Sequence, residues 1–148
     1  MTVSPMAAAK HMCARSGWEL SNLSLQKMLY LAQMIYMGEH NGEKLIDGTF
    51  EAWAYGPVLP AVYGQVKAFG KNPIKNVFHG VVPEMDAGRR QTLDDAYDQL
   101  SQKTPGQLVS ITHWKDGAWA KNYIPGAFGV PIPDPDILDE YRARAALQ

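Results

Sequence analysis

The segment from Ser24 to Gly38 restricts the fold more than any other part of the chain. Its apolar side chains fall on nearly every side of a helix; they are Leu25, Met28, Leu29, Leu31, Ala32, Met34 and Ile35. A helix that is apolar almost all round lies inside a domain rather than on its surface. We therefore predict a central buried helix with the rest of the chain packed around it.

The polar positions of this helix form a second pattern. Gln26, Tyr30, Gln33 and Met37 are spaced by four, three and four residues, and Lys27 flanks them. Residues at these spacings share one narrow helix face. Because buried polar groups are costly unless they are hydrogen-bonded, this polar seam must find partners on neighbouring segments.

Capping residues, prolines and glycines predict six further helices or helical turns. Their approximate ranges are 5–16, 60–70, from 92 onward, 105–112, a turn after Asp116 that carries Trp119, and 134–146. The run Thr104-Pro105-Gly106-Gln107 has the spacing of a capping box. The predicted fold class is mainly α, a compact helical domain formed by residues 1–148 as one unit.

A small β element is expected near the middle of the chain. Asp47-Gly48 is a hairpin-type dipeptide, and residues 44–46 and 49–55 on either side have β-type composition. This predicts a short β-hairpin, with an extended aromatic loop as the alternative. Gly56-Pro57 is expected to break the chain, and residues 77–82 are expected to add a short strand beside Phe50.

Composition narrows the classes of partner. The formal net charge of −1 gives no broad field toward nucleic acid or an anionic membrane. No apolar stretch approaches the roughly 20 residues of a membrane helix. The single cysteine, Cys13, lies on the apolar face of the first predicted helix, and the start of the chain has no signal-peptide pattern. We expect a cytoplasmic protein with no membrane or nucleic-acid partner.

The motifs of common catalytic and metal sites are missing. The segment from Gly64 to Lys71 has one residue too many for a phosphate-binding loop, and Asn72 stands where that motif needs Ser or Thr. The aspartates at 134, 136 and 139 lack the glycine of a calcium loop. The four histidines form no ligand spacing. We expect no cofactor, no metal and no enzymatic activity.

Three blocks of sequence, residues 25–33, residues 51–58 and Thr112-His113 with Trp119, occur in an order that resembles one known family, the Panacea (SocA-like) antitoxin domain. Residues 25–33, Leu-Gln-Lys-Met-Leu-Tyr-Leu-Ala-Gln, are similar to its first motif. Residues 51–58, Glu-Ala-Trp-Ala-Tyr-Gly-Pro-Val, resemble its second motif, with Ala54 where the family often has a charged residue. Thr112-His113 followed by Trp119 resembles a third element, so the likeness spans roughly residues 23–121.

This resemblance implies a function in binding. The family is phage-associated, and its members are antitoxins of toxin–antitoxin pairs that neutralise a cognate protein toxin. One mode in the family is that of a proteolytic adaptor, which delivers the toxin to the ClpXP protease. The residues that we expect to bind the partner are Gln26, Lys27, Tyr30, Trp53, Tyr55, Tyr63, His113 and Trp119. Among them Trp53 is favoured as a core residue, and Tyr55, Tyr63 and His113 as contacts.

Two other functions stay open at this stage. Helices beside a small hairpin are the parts of a winged helix-turn-helix, which would make the chain a DNA-binding regulator of its own operon. An acid–base cluster of Gln26, Lys27, Tyr30 and His113 would make it an enzyme, and a perturbed pKa in a deep pocket would be the sign. The sequence does not identify the toxin, and it does not show whether the toxin is blocked by binding or delivered to a protease. It also does not show whether the chain self-associates.

Overall fold

A computed structural model describes residues 1–148 and confirms a mainly α fold with a central helix and a small β-hairpin. The elements are α1 (Pro5–Arg15), α2 (Asn22–Glu39), β1 (Glu51–Trp53), β2 (Gly56–Val58), α3 (Pro60–Val66), α4 (Ala87–Leu100), α5 (Pro105–Thr112), α6 (Ala118–Asn122) and α7 (Asp134–Ala145). One 3₁₀ turn, Lys67–Phe69, extends α3.

The helix α2 is the centre of the domain, as its composition predicts. Thirteen of its eighteen residues are buried, which leaves no continuous face for solvent. It packs against α1, α3, α4, α5, α7 and β2. Although α2 is so apolar, neither it nor any other helix combines the length and hydropathy that crossing a bilayer requires.

Two helices begin earlier than their sequence signals suggest. The N-cap of α2 is Ser21 rather than Ser24, because the Ser21 hydroxyl accepts a hydrogen bond from the Ser24 amide at 3.2 Å. The helix α4 begins at Ala87 rather than after Thr92. Its N-cap is Asp86, whose carboxylate accepts the Arg89 amide at 3.1 Å. In both cases a polar side chain further upstream accepts a hydrogen bond from a free amide of the first turn, and the helix therefore begins earlier.

The hairpin is present, but the sequence misplaces it. Its register pairs Glu51 with Val58 and Trp53 with Gly56, so the turn is Ala54-Tyr55 and not Asp47-Gly48. The dipeptide Gly56-Pro57 does not break the chain but forms β2. Gly56 has a φ of +114°, a backbone conformation that only glycine adopts without strain, and this conformation lets the chain reverse.

The segment expected as the first hairpin strand pairs elsewhere. Val3 forms a parallel bridge with Ile46, and its amide donates to the Leu45 carbonyl at 2.8 Å. The predicted strand at 77–82 does not form either. The outer edge of β1 is instead covered by residues 130–132, since the Ala52 amide donates to Val130 O and the Ile132 amide to Phe50 O. Sequence patterns within one segment cannot predict these partners, because the partners lie far apart along the chain.

Gln33 shows how the polar seam of α2 is satisfied. Its Oε1 accepts hydrogen bonds from the Leu45 and Ile46 amides, both at 2.9 Å. Both amides belong to buried residues, and Gln33 itself is buried. A side chain on the central helix therefore holds the loop that follows it, as the seam predicts.

We expect Gln33→Met to lower the free energy of unfolding by about 2 kcal/mol or more, because the two buried amides lose their acceptor. Urea unfolding followed by circular dichroism measures this loss. The matched control is Gln65→Met on an exposed position of α3, which should change stability by less than about 0.5 kcal/mol. Equal stabilities of the two variants would contradict the role given to Gln33.

Candidate functional site

The β-hairpin carries the most exposed part of the predicted site. Its turn places Tyr55 in solvent, with 71% of the side chain exposed. A cavity of about 270 Å³ lies on one side of Trp53 and Ala54, with Tyr63 in its wall. A second cavity of about 310 Å³ is also lined by Trp53 and Ala54, and it includes Phe128. We call the area of Trp53, Ala54, Tyr55, Tyr63 and Phe128 the hairpin surface.

Two side chains of α2 hold the hairpin from below. The amide of Leu59, which follows β2, donates to Gln26 Oε1 at 2.8 Å. Lys27 Nζ donates to the Pro57 carbonyl at 3.0 Å. Both side chains are fully buried. They therefore position the hairpin, and although both line the 270 Å³ cavity, almost none of their surface is exposed.

Lys27 is unusual because it is buried without a carboxylate partner. No salt bridge of the chain includes it, and burial lowers the pKa of its amine to about 7. Gly56 lies directly against it. A Cβ at that position would be 2.8 Å from Lys27 Cε and 2.9 Å from Thr112 Oγ1. The glycine is therefore required for space as well as for its backbone conformation.

Aromatic rings fasten the hairpin from the side. Trp119 Nε1 donates to the Trp53 carbonyl at 2.7 Å. The ring of Trp119 stacks on His113, with centroids 3.7 Å apart and planes 3° from parallel, and on Tyr123 at 4.7 Å. Trp53 packs edge to face against Tyr63 at 4.7 Å. Trp119, from the third sequence block, thus holds Trp53, from the second block, in place.

The surroundings of His113 favour its neutral form. Its Nε2 is buried without a hydrogen-bond partner. Burial lowers the pKa of His113, and the charge of Lys27 lowers it further. Both causes disfavour protonation of the ring that stacks on Trp119.

Tyr30 lies in a different buried cluster. Its hydroxyl donates to Glu140 Oε1 at 2.6 Å, and the same oxygen accepts the Ala118 amide at 2.9 Å. Burial, followed by the charge of Glu140, raises the pKa of Tyr30. Arg144 Nε donates to Glu140 Oε2 at 2.8 Å. Sequence analysis missed Glu140, because nothing in the charged pattern of the last helix distinguishes one buried acid from its exposed neighbours.

Exposure divides the eight predicted residues into two groups. Gln26, Lys27 and Tyr30 are buried, and the rings of the other five are partly or largely exposed around the hairpin; these are Trp53, Tyr55, Tyr63, His113 and Trp119. No three His, Cys, Asp or Glu side chains converge on a point where they could hold a metal ion. What the arrangement offers is an aromatic surface on a rigid support.

Phe128 is the residue of this surface that sequence analysis missed. It is 98% exposed and lines one of the two cavities. Gly126 and Gly129 on either side have φ values of +79° and +65°, so the loop turns sharply and presents the ring outward. The signal in the sequence was an aromatic residue between two glycines, which is weak on its own.

Two comparisons with known proteins match this chain to the same family. A family model described as antitoxin SocA-like, Panacea domain, matches residues 25–120. Antitoxin SocA of Caulobacter vibrioides (strain NA1000 / CB15N) is 33% identical over 139 residues, which cover 83% of this chain and 72% of that protein. No solved structure gives a significant match. The matched region starts in the buried helix and ends just after Trp119, so it includes the whole hairpin.

Burial of Lys27 predicts a pH dependence of stability. The amine has a pKa of about 7 in the folded protein and an ordinary pKa of 10.5 in an unfolded chain, so the unfolded chain binds up to one more proton between these pH values. The free energy of unfolding therefore rises with pH above 7, by up to about 1.4 kcal/mol per pH unit. Urea titrations between pH 7 and about 7.5 measure this slope, because nearer to pH 8.5 the unfolded thiol of Cys13 ionises and opposes it.

Lys27→Met should remove that slope, whereas Lys67→Met, at an exposed position, should keep it. Both variants replace a lysine by methionine, and the two lysines differ in burial and in the hydrogen bond that Lys27 donates to Pro57. A slope that is as steep in Lys27→Met as in the unmodified protein would show that another group is responsible.

Proposed function

The chain belongs to the antitoxin SocA-like Panacea family, and from this membership we propose that it neutralises a cognate protein toxin by binding it directly through the hairpin surface. One observation carries the choice of surface. Tyr55 and Phe128 are 71% and 98% exposed, and they stand beside two cavities that share Trp53 and Ala54 as a wall. Large exposed aromatics beside concave apolar sites are typical of binding hot spots.

The support under this surface favours tight binding. Gln26, Lys27 and Trp119 each hold a main-chain group of the hairpin or the residue after it. A surface that is already ordered loses little conformational entropy when the partner docks. The partly exposed Tyr63, His113 and Trp119 extend the proposed contact area, and the buried Gln26, Lys27 and Tyr30 act through the shape of the hairpin.

No catalytic activity is part of this proposal. Lys27 has the lowered pKa that an acid–base site would show, but burial alone accounts for the shift, and its Nζ already donates to Pro57 O. The hydroxyl of Tyr30 is taken up by Glu140. We propose that these contacts are structural, since they hold the hairpin and α7 against α2.

The proposal predicts that Tyr55→Ala combined with Phe128→Ser weakens toxin binding at least about tenfold, because two exposed anchors are lost. The toxin to be tested is the product of the gene next to this one, co-expressed with each variant. Growth rescue and the dissociation constant of the purified pair are the measurements. The control is Val82→Ser, which removes another exposed apolar side chain, 67% exposed, outside the hairpin surface.

Circular dichroism should show that all these variants remain folded, since none of the three side chains is buried. If the double variant binds and rescues as well as the unmodified protein, the hairpin surface is not the docking site. If the neighbouring product is not toxic or does not bind, the proposed function itself fails.

We propose delivery to ClpXP as a second step, on the strength of the family resemblance. An adaptor shortens the life of its cargo, so the toxin half-life in cells should fall when this protein is co-expressed, and rescue should disappear in a host without ClpP. Pulse-chase labelling of the toxin measures the half-life. Rescue that persists without ClpP would leave occlusion as the mode of action. Delivery requires a cytoplasmic location, with which the free, buried Cys13 agrees.

A further inference from the structure

The walls of one cavity of the hairpin surface suit a positively charged group. This cavity, of about 310 Å³, is lined by three aromatic residues, Trp53, Tyr123 and Phe128, and its other lining residues are alanines and glycines. Aromatic rings attract cations, and several rings together form the usual site for ammonium and related groups. Within the chain, cations lie over the rings of Tyr36 and Trp114 and over none of the rings of this cavity.

Glu51 adds a negative charge beside this cavity. Its Oε1 accepts a hydrogen bond from Trp53 Nε1 at 2.9 Å, which joins the carboxylate to one residue of the wall. A Cβ on Gly129, another residue of the wall, would be 3.9 Å from Glu51 Oε2. The carboxylate therefore lies next to two residues that line the cavity.

The charge of Glu51 has no positive partner within the chain. No salt bridge includes Glu51, and no lysine or arginine lines the cavity. Its Oε2 makes no hydrogen bond, and it is not sealed in the interior, because the one buried polar atom without a partner is His113 Nε2. Water reaches this oxygen, so a group that enters from solvent reaches it as well. Such a group meets a negative charge beside three aromatic rings.

From this charge complementarity we propose that the cavity receives an arginine side chain of the toxin, whose guanidinium packs against the aromatic rings and donates to Glu51 Oε2. The inference rests on the proposed function, since it takes the hairpin surface as the docking site. Arginine suits the cavity better than lysine, because its planar guanidinium stacks on aromatic rings, is weakly hydrated and presents several N–H donors to a carboxylate. Arginine is also enriched among the hot spots of protein interfaces.

Titration of the full chain with N-acetyl-arginine amide, at constant ionic strength, tests the cavity without any toxin. We expect saturable binding with a dissociation constant of about 10 mM or tighter, and a shift of the Trp53 indole N–H signal in the NMR spectrum. N-acetyl-citrulline amide has nearly the same shape but no charge, and it should bind at least about fivefold more weakly. The proposal is overturned if the arginine compound does not saturate the site, if the citrulline compound binds equally well, or if N-acetyl-lysine amide binds more tightly.

Glu51→Gln removes the charge but keeps an oxygen that can accept from Trp53 Nε1, so the wall of the cavity should stay in place. This variant should bind the arginine compound at least about fivefold more weakly. The matched control is Glu84→Gln, which removes an exposed acid outside the cavity and changes the net charge equally; it should bind as the unmodified protein does. Unchanged binding by Glu51→Gln, or equal losses in the two variants, would contradict the role given to Glu51. Circular dichroism separates loss of the site from loss of the fold.

The same variants separate this inference from the proposed function. If the neighbouring gene product binds, Glu51→Gln should raise the dissociation constant at least about tenfold, and Glu84→Gln should not. Substituting each arginine of that product in turn should identify one whose loss has the same effect and adds little to that of Glu51→Gln. If Tyr55→Ala with Phe128→Ser weakens the complex but Glu51→Gln does not, the inference fails and the proposed function stands. If the neighbouring product does not bind, the proposed function fails, and with it the toxin as the source of the arginine.

Discussion

The hairpin and the loop that follows the central helix are positioned by the need to satisfy polar groups buried on that helix. Gln26 accepts the Leu59 amide, Lys27 donates to the Pro57 carbonyl, and Gln33 accepts two amides of the loop that follows the helix. Each of these hydrogen bonds joins two residues that are far apart along the chain, and both partners are buried away from water. Because a buried polar group without a partner costs more than a formed bond gains, these contacts select one arrangement of the hairpin and loop over others that would bury the same apolar area.

Lys27 shows the cost of this design. Burial without a carboxylate partner makes the charged form of this lysine unfavourable, and its pKa is therefore lowered to about 7. In return the carbonyl of Pro57 has a donor at a point where Gly56 leaves room for nothing larger. The result is a hairpin held from below by α2 and from the side by Trp119, with Tyr55 at its tip. A rigid support of this kind suits a surface that recognises another protein.

Patterns that depend on neighbours along the chain predicted much of the fold. The central helix, the capping box at Thr104 with Gln107 and the buried Cys13 were all predicted correctly. The hairpin was expected but placed at Asp47-Gly48, because turn propensity is a local signal and the pairing of Ile46 with Val3 is not. For the site, motif resemblance identified the residues around the hairpin. It did not separate the buried Lys27 from the exposed Tyr55, and it missed Phe128 and Glu140.

The sequence by itself determined that this chain folds around one apolar helix, that the helix carries a polar seam, and that its motifs are those of the Panacea family. These properties depend on residue type and on spacing within one element, which a sequence displays directly. Only the tertiary structure decided which groups satisfy the seam, which strand edge residues 130–132 cover, and which aromatic rings reach solvent. Those outcomes depend on contacts between residues as far apart as Tyr30 and Glu140, and their geometry exists only once the whole core has packed.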